Sequence, residues 1–382
     1  MNIVLAPDSF KECLTAFAVA EALSAGLQRA GIPEEDIMCR PLADGGDGLL
    51  DVLHYALGGE IRTVEVSGPL GEPVAARFGL LDDGHTAVVE MAQAAGLHLA
   101  PPEKRDPCVA GTRGVGELMV HALDCGAKRI LVGLGGSATN DGGVGMATAL
   151  GVRFLDETGA DLPPGGASLR RLARIACADL DARLADTTII AACDVSNPLC
   201  GENGASQVYG PQKGATPDVV KTLDAALSHY ATVLETQMCV QVRTVPGAGA
   251  AGGLAAGLVA FANASLCSGV DLVLDAYGDM DDVMRDAALV ITGEGAVDGQ
   301  SAQGKVIAGV AKKARIHTTP LLVVAGRVGD GLDTLYKAGV TAILPIAPGP
   351  MPQHVALDRA AQHLEQTGCA IGRLLRALRP DQ

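Results

Sequence analysis

The sequence predicts an α/β protein in which a doubly wound parallel-sheet domain is split by an inserted second α/β domain. Three observations predict this class. The chain has 382 residues, which is longer than a domain with a single hydrophobic core usually is. Short apolar runs alternate with helical segments near both ends of the chain, as in a parallel sheet. The middle of the chain instead alternates apolar and polar residues, as antiparallel strands do.

The parallel sheet is predicted from apolar runs at the front and the back of the chain. These runs are NIVLA (2–6), IMCRPLA (37–43), ALVITGEG (288–295), PLLVVAG (320–326) and TAILPI (341–346). Apolar and β-branched residues bounded by Gly, Pro or Asp are typical of buried strands. Because ligands of open parallel sheets bind outside the carboxyl ends of the strands, we expect the loops PDSFK, ADGGDG and TGEGAVDG to line one crevice.

The inserted domain is predicted from residues 61–92, where apolar and polar residues alternate between turn signals. The buried runs RILVGL (129–134) and TTIIAACD (187–194) add further strands. We assign residues 1–64 plus 270–382 to the doubly wound domain and residues 65–269 to the inserted mixed-sheet α/β domain.

The composition excludes several classes of protein. A formal net charge of −15 repels nucleic acid and anionic membranes. The cysteines form no CxxC pair and the histidines no HExxH motif, which argues against a zinc site. The chain starts without a basic leader, and its longest uncharged run, 244–270, is too rich in Gly and Ala for a bilayer span. We expect a cytoplasmic monomer or homodimer without nucleic-acid or membrane partners.

Glycine-rich acidic loops, such as GLGGSATNDGG (133–143), recur along the chain and indicate phosphoryl transfer. Glycines let backbone N–H groups approach oxyanions, and neighbouring Asp and Asn offer the hard oxygen ligands that Mg²⁺ prefers. Lys11, Lys213 and Lys305 supply positive charge for phosphate or carboxylate groups. This combination suits a reaction that depends on positioning and charge neutralisation.

Two other functions are consistent with parts of the sequence. The run PGAGAAG (246–252) matches the GxGxxG fingerprint of dinucleotide-binding proteins. It follows a predicted strand at 240–245 and precedes a predicted helix, with Asp271 at a suitable distance. An NAD-dependent oxidoreductase is therefore the alternative function. A nucleotide-binding regulator without turnover is a third hypothesis, because it would use the same loops.

The loops together resemble those of bacterial class I glycerate kinases, the glycerate 2-kinase family. The matching stretches run from residue 6 to residue 305 and are APDSFK, ADGGDG, GTRGVGEL, GLGGSATNDGG, DVSNPLCGENGAS, YGPQKGA, PGAGAAGG and TGEGAVDGQSAQGK. Two positions depart from the family pattern: Glu12-Cys13 replaces Gly-Ser, and Ala296-Val297 replaces an arginine followed by an aliphatic residue. The resemblance implies transfer of a phosphoryl group from ATP to D-glycerate, giving 2-phosphoglycerate. It also implies a discontinuous flavodoxin-like domain, a second unlike α/β domain, and a site in the cleft between them.

We hypothesise the following roles for the site. Backbone amides of Gly135, Gly136 and Ser137 hold the phosphates of Mg²⁺·ATP, and a carboxylate accepts the hydroxyl proton of glycerate. Lys11 or Lys213 faces the transferred phosphoryl group or the glycerate carboxylate. The predicted catalytic residues are Lys11, Asp194, Asp8 and Asp47, with Asp44 a further candidate base. The predicted substrate and phosphate ligands are Ser9, Asp44, Gly135, Gly136, Ser137, Asn140, Lys213, Glu294, Asp298 and Lys305. The predicted metal ligands are Asp141, Asp194 and Asn197.

Overall fold

The computed structural model describes residues 1–302 and 305–378, which form two compact units. The first unit joins residues 1–44 to the chain from Val270 onward, and the second unit comprises Gly45–Gly269. Gln303 and Gly304 of the TGEGAVDGQSAQGK motif lie outside the described residues, as do residues 379–382 of the predicted first domain.

Over the described ranges, the strands are β1 (Ile3–Leu5), β2 (Ile37–Cys39), β3 (Glu60–Ser67), β4 (Pro73–Leu81), β5 (Thr86–Glu90), β6 (Arg129–Gly133), β7 (Arg153–Leu155), β8 (Arg174–Ala176), β9 (Thr188–Ala192), β10 (Ser265–Cys267), β11 (Leu289–Val297), β12 (Leu321–Val328) and β13 (Ala342–Pro345). The helices are α1 (Ala16–Arg29), α2 (Leu49–Leu57), α3 (Ala92–Ala95), α4 (Arg113–Asp124), α5 (Val144–Ala149), α6 (Ala205–Tyr209), α7 (Pro217–Met238), α8 (Ala250–Ala262), α9 (Gly269–Ala276), α10 (Met280–Asp286), α11 (Val306–Ile316), α12 (Asp333–Ala338), α13 (Gln353–Asp358) and α14 (Ala360–Leu378).

The described strands of the first unit form a parallel sheet in the order β13-β12-β11-β1-β2. β1 lies between β11 and β2, with Ile3 opposite both Ile37 of β2 and Leu289 of β11. Numbered within the unit, the order is 2-1-3-4-5, which is that of a flavodoxin-like doubly wound sheet. The predicted fold class is confirmed.

The core of the first unit explains why its first helix forms. Val19, Leu23 and Leu27 of α1 recur at helical spacing and are fully buried. They pack in one hydrophobic cluster with Leu364 and Ile371 of α14 and with β1. Burial of this apolar stripe fixes α1 beside β1, and the loop after β1 carries the predicted site residues Asp8, Ser9 and Lys11.

β11 is longer than the sequence predicts. The predicted strand ALVITGEG ends at residue 295 and overlaps the predicted loop TGEGAVDG, whereas β11 continues to Val297, with Glu294 opposite Ala325 of β12. The physical reason is that β12 supplies backbone partners along this whole length, which outweighs the weak strand preference of the glycines. Glu294 therefore lies on a strand, as the run ALVITGEG predicts.

The main sheet of the second unit is mixed, and over the described residues its order is β10-β9-β6-β5-β4-β3. β3, β4 and β5 pair in antiparallel fashion, as the alternating pattern predicts. β5, β6, β9 and β10 run parallel to one another. The carboxyl ends of β6 and β9 therefore lie side by side, and each is followed by a loop that the sequence analysis selected.

The compact units divide the chain at a different place from the predicted domains. α2 contacts β4 and β5, so residues 45–64 pack in the second unit, whereas the sequence analysis assigned them to the doubly wound domain. The predicted division into 1–64 plus 270–382 and 65–269, and the predicted cleft between the domains, stay predictions.

No helix in the described part of the chain is long and apolar enough to cross a membrane. The uncharged run at 244–270 contains α8, most of whose residues are buried, in agreement with the predicted buried loop and helix. The cytoplasmic location and the oligomeric state stay predictions.

Candidate active site

A cavity of about 770 Å³ lies within the first unit. It is lined by residues at or after the carboxyl ends of the parallel strands and by residues of α13 and α14, which is where doubly wound sheets bind ligands. It brings together six of the predicted site residues, namely Asp8, Ser9, Lys11, Asp44, Glu294 and Lys305.

Two buried carboxyl groups, those of Asp8 and Glu294, line this cavity. Asp8 is 5% exposed, and its Oδ1 accepts a 2.6 Å hydrogen bond from the amide of Ser9. Burial, reinforced by the charge of Asp44, raises the pKa of Asp8 to about 8. Glu294 is 8% exposed, and burial raises its pKa to about 7 although the charge of Lys305 opposes the shift. Both groups therefore titrate near neutral pH, where a general base is most effective.

One oxygen of Glu294 is buried without a partner. Among the described residues, no group donates a hydrogen bond to its Oε1. Buried polar atoms in folded proteins are almost always bonded. An unbonded carboxyl oxygen in the lining of a cavity therefore indicates that a ligand or solvent supplies the missing donor.

Cations from separate elements line the same cavity. Nζ of Lys11 lies 3.8 Å from Oδ2 of Asp44, and the Lys11 side chain is largely exposed. Lys305 directly precedes α11. Arg327 also lines the cavity, and the sequence analysis missed it. Its signal was its position directly after the predicted strand PLLVVAG, at the edge of the sheet where ligands bind.

The remaining lining of the cavity is largely apolar, and its helical part was indicated by no sequence motif. Phe10, Ile346 and Ala360 belong to the hydrophobic core of the first unit. Met351 and Leu357 also contribute to this part of the lining. Asp298, a predicted ligand, is not among the lining residues. It lies in a turn after β11, where its carbonyl oxygen accepts a 3.0 Å hydrogen bond from the amide of Ser301.

The second unit carries another group of predicted residues at the carboxyl edge of its sheet. The backbone of residues 45–46 packs on the ends of β6 and β9. A Cβ on Gly135 would lie 2.3 Å from Cα of Gly46, and a Cβ on Gly133 would lie 2.8 Å from the carbonyl oxygen of Gly45. Glycine is therefore required for these two loops to approach each other.

Asp47 lies beside the glycine-rich loop that follows β6. Its side chain is close to Gly136, since a Cβ added to Gly136 would lie 3.0 Å from Oδ1 of Asp47. Both residues are exposed, and Gly136 has a φ of +73°, whereas Ser137 is buried. An exposed carboxylate beside exposed backbone has the chemistry to bind a cation together with an anion.

Asp194 and Asn197 hold the loop that follows β9. Oδ1 of Asp194 accepts a 3.0 Å hydrogen bond from the amide of Gly269 at the start of α9. The side chain of Asn197 donates to the carbonyl oxygen of Asn203 at 2.9 Å and accepts from the hydroxyl of Tyr209 at 2.7 Å. Both polar atoms of the Asn197 amide are therefore bonded, one within the loop and the other to α6.

Asp141 is enclosed inside the second unit. It is 1% exposed and accepts hydrogen bonds from the amide and hydroxyl of Thr112, both at 2.9 Å, and from the amides of Gly143 and Gly145, both at 3.1 Å. Burial raises its pKa, while these donors oppose the shift. The donors occupy the carboxylate, so it anchors the neighbouring loops to one another, and its role as a metal ligand stays a prediction.

Asn140 and Lys213 are also buried. Nδ2 of Asn140 donates a 2.9 Å hydrogen bond to the hydroxyl of Ser206. Lys213 is 1% exposed, and its Nζ donates a 2.7 Å hydrogen bond to the carbonyl oxygen of Thr139. Burial lowers the pKa of Lys213 to about 7. The lysine thus supports the glycine-rich loop from inside, and its contact with a substrate stays a prediction.

The GxGxxG run lacks the structure of a dinucleotide-binding loop. Residues 240–245, predicted to be a strand, are described and form none. Ala251, Gly252 and Gly253 have φ values of +52°, +67° and +88°, and an added Cβ on Gly252 would lie 2.0 Å from the carbonyl oxygen of Thr139. The run therefore packs against the loop that follows β6, and the geometry gives no support to the NAD-dependent alternative.

The described residues fit a Mg²⁺ site in which phosphate oxygens of the substrate supply some of the ligands. Within the described residues, no three His, Cys, Asp or Glu side chains lie close enough together to hold a metal ion. Mg²⁺ usually keeps several waters and is held by one or two carboxylates together with substrate phosphates. An exposed carboxylate such as Asp47 meets this requirement.

Comparison with known proteins gives the family. The model of the glycerate kinase family matches residues 3–376. The chain is 47% identical over 367 residues to glycerate kinase of Bacillus subtilis (strain 168), with 96% of each chain covered. It is also 47% identical over 346 residues to glycerate 2-kinase of Escherichia coli (strain K12), which covers 91% of this chain and 90% of that relative.

The structure agrees with these sequence relationships. It matches a crystal structure described as glycerate kinase 2 from Salmonella typhimurium LT2 with a TM-score of 0.86 and 43% identity, over 100% of this chain and 99% of that chain. Family model, sequence relatives and structure all indicate a phosphotransferase enzyme. The chain belongs to the glycerate kinase family.

Proposed function

We propose that this chain transfers the terminal phosphoryl group of ATP, as its Mg²⁺ complex, to the 2-hydroxyl group of D-glycerate. The products are ADP and 2-phosphoglycerate. The relative from Escherichia coli carries the name glycerate 2-kinase, which favours the 2-phospho isomer.

The observation that carries this proposal is the convergence of Asp8, Glu294, Lys11, Lys305 and Arg327 on one cavity. A hydroxy acid needs a cation for its carboxylate and a base for its hydroxyl proton. The cavity offers both. Its carboxyl groups have pKa values of about 8 and about 7, so a fraction of each is ionised at neutral pH.

We assign the role of general base to Glu294 and that of a supporting acid to Asp8. Glu294 has the lower pKa of the two, and its Oε1 has no partner among the described residues, so this oxygen can accept a proton from a bound hydroxyl. Lys11 and Arg327 bind the carboxylate of glycerate or the phosphoryl group. Lys305, whose charge acts on Glu294, binds the same groups from its own part of the cavity lining. Ser9 and Asp44 orient the substrate.

In the second unit, we propose that the backbone of Gly135 to Ser137 binds phosphate oxygens and that Asp47 and Asp194 hold Mg²⁺. Bound Mg²⁺ would neutralise charge that develops on the phosphates. Asp141, Asn197 and Lys213 keep these loops in shape, because their side chains are bonded within the unit. Asn140 is bonded through Nδ2, and no described residue donates a hydrogen bond to its Oδ1.

A coupled assay of ADP release tests the proposal. The wild-type protein is expected to release ADP with D-glycerate and ATP when Mg²⁺ is present, and phosphorus NMR of the product is expected to show 2-phosphoglycerate. Lys11→Met is expected to lower kcat/KM, whereas Lys337→Met, a change at an exposed lysine of α12, is the matched control. Nucleotide binding without turnover of glycerate would show a regulator instead, and a 3-phospho product would contradict the regiochemistry.

A further inference from the structure

The cavity of the first unit is larger than a three-carbon acid requires. Its volume of about 770 Å³ lies in the range of pockets for ligands of nucleotide size. The carboxylates and cations described above interact: Nζ of Lys11 lies 3.8 Å from Oδ2 of Asp44, and the charge of Lys305 lowers the pKa of Glu294 against the effect of burial. They occupy only part of the lining, and the function of the rest is unassigned.

The rest of the lining is an apolar surface with a single buried polar residue in its helical part. Phe10, Ile346 and Ala360 are in the core cluster, and Met351 and Leu357 lie beside them in the lining. We call these residues the apolar wall. A fully hydrated sugar acid or phosphate gains nothing from such a surface, whereas a flat, weakly hydrated ring gains by burying its faces there.

His363 supplies a hydrogen-bonding group next to the apolar wall. It lies one turn after Ala360 on α14, lines the cavity and is 5% exposed. No described residue forms a hydrogen bond with its Nδ1, although this atom is buried. Leaving a buried polar atom unbonded is costly, so the position of His363 is best explained by a ligand that bonds with it.

We propose that the apolar wall binds the adenine base of the phosphoryl donor and that Nδ1 of His363 forms a hydrogen bond with the edge of that base. This inference rests on the proposed function, which requires a nucleotide. Adenine has apolar faces and ring nitrogens that exchange hydrogen bonds with an imidazole in either tautomer. The cations of the same cavity then lie in the part of the pocket that receives charged groups.

Calorimetric titration of the full-length protein with ADP tests the inference. His363→Leu is expected to weaken ADP binding about tenfold, the effect of losing one buried hydrogen bond. His354→Leu is the matched control, since His354 is exposed on α13 and does not line the cavity. Titration with inorganic triphosphate is expected to give the same affinity in wild type and His363→Leu, because only the base contacts the histidine.

A second variant blocks the site without removing a polar group. Ala356→Phe places a ring in the cavity from α13 and is expected to weaken ADP binding tenfold or more while the KM for glycerate changes little. Circular dichroism checks that each variant is folded.

The outcomes separate this inference from the proposed function. ADP affinities in both cavity variants that equal the wild-type value would overturn the adenine site, even if the wild type turns over glycerate. A loss of glycerate affinity with unchanged ADP affinity would also overturn it. A wild-type protein that neither binds ADP nor releases it in the presence of glycerate would instead overturn the proposed function.

Discussion

Nζ of Lys213 donates a 2.7 Å hydrogen bond to the carbonyl oxygen of Thr139, in the loop that follows β6. This lysine is almost fully buried, and its pKa falls to about 7. An unfolded lysine keeps a pKa near 10.4, so between these values the unfolded state binds more protons than the folded state. The energetic cost of burying Lys213 therefore decreases as the pH rises from about 7 to about 10.

The first prediction concerns Lys213→Met. The free energy of unfolding of the wild type minus that of the variant is expected to rise with pH over this window, because only the wild type has the titrating lysine. Urea denaturation at several pH values measures the difference. Lys221→Met, at an exposed lysine of α7, is the control, and its difference is expected to stay constant. Parallel curves for wild type and Lys213→Met would contradict the buried-lysine argument.

The second prediction concerns Asp8→Asn. A carboxyl group whose pKa is raised in the folded state adds stability below its unfolded pKa and loses it as the pH rises through its folded pKa. For Asp8 that window extends from about pH 4 to about pH 8. The wild type is therefore expected to lose stability relative to Asp8→Asn over this range, by chemical denaturation. Glu157→Gln, at an exposed site of the second unit, is expected to show no such trend.

The third prediction concerns Glu294→Gln. Loss of a general base is expected to lower kcat by about 10²- to 10⁴-fold. In the wild type, kcat is expected to rise with pH through about 7 as Glu294 ionises, and the variant is expected to lose this rise. Glu12→Gln is a control in the same cavity, since Glu12 is exposed. A variant with unchanged kcat and an unchanged pH profile would remove Glu294 from the mechanism.

The fourth prediction concerns Asp141→Asn. The NH₂ group of asparagine would face N–H or O–H groups that now donate hydrogen bonds to the carboxylate. We therefore expect a loss of about 2–4 kcal/mol in the free energy of unfolding. The Mg²⁺ concentration for half-maximal activity is expected to stay the same in the fraction that folds. Normal stability with a higher Mg²⁺ requirement would show that Asp141 is a metal ligand after all.

The sequence was sufficient to predict the sheet of the first unit, because its strands are continuous apolar runs and a parallel strand is buried on both faces. It was insufficient for the last two residues of β11, which lie beyond the predicted run ALVITGEG. Strand structure there depends on pairing with β12, a contact between distant parts of the chain.

The candidate site was predictable to a similar degree. The loops PDSFK and GLGGSATNDGG do lie at the carboxyl ends of β1 and β6, because that rule needs only the order of elements. Residue type does not show which acid or lysine faces outward. Asp141 and Lys213 were therefore predicted to bind ligands, although both are buried and bonded within the second unit. His363 lies on a helix without any motif, and only tertiary packing brings it to the cavity.

The first unit is assembled from two segments that the second unit separates along the chain, and this has a consequence for its biosynthesis. β1 pairs with β2 and β11, yet the ribosome must make the whole of residues 45–269 before β11 emerges. The central unit can condense during translation, whereas the amino-terminal segment waits as an incomplete sheet. We infer that residues 1–44 are made before β11 and can complete their sheet with it only after residues 45–269 have also been made.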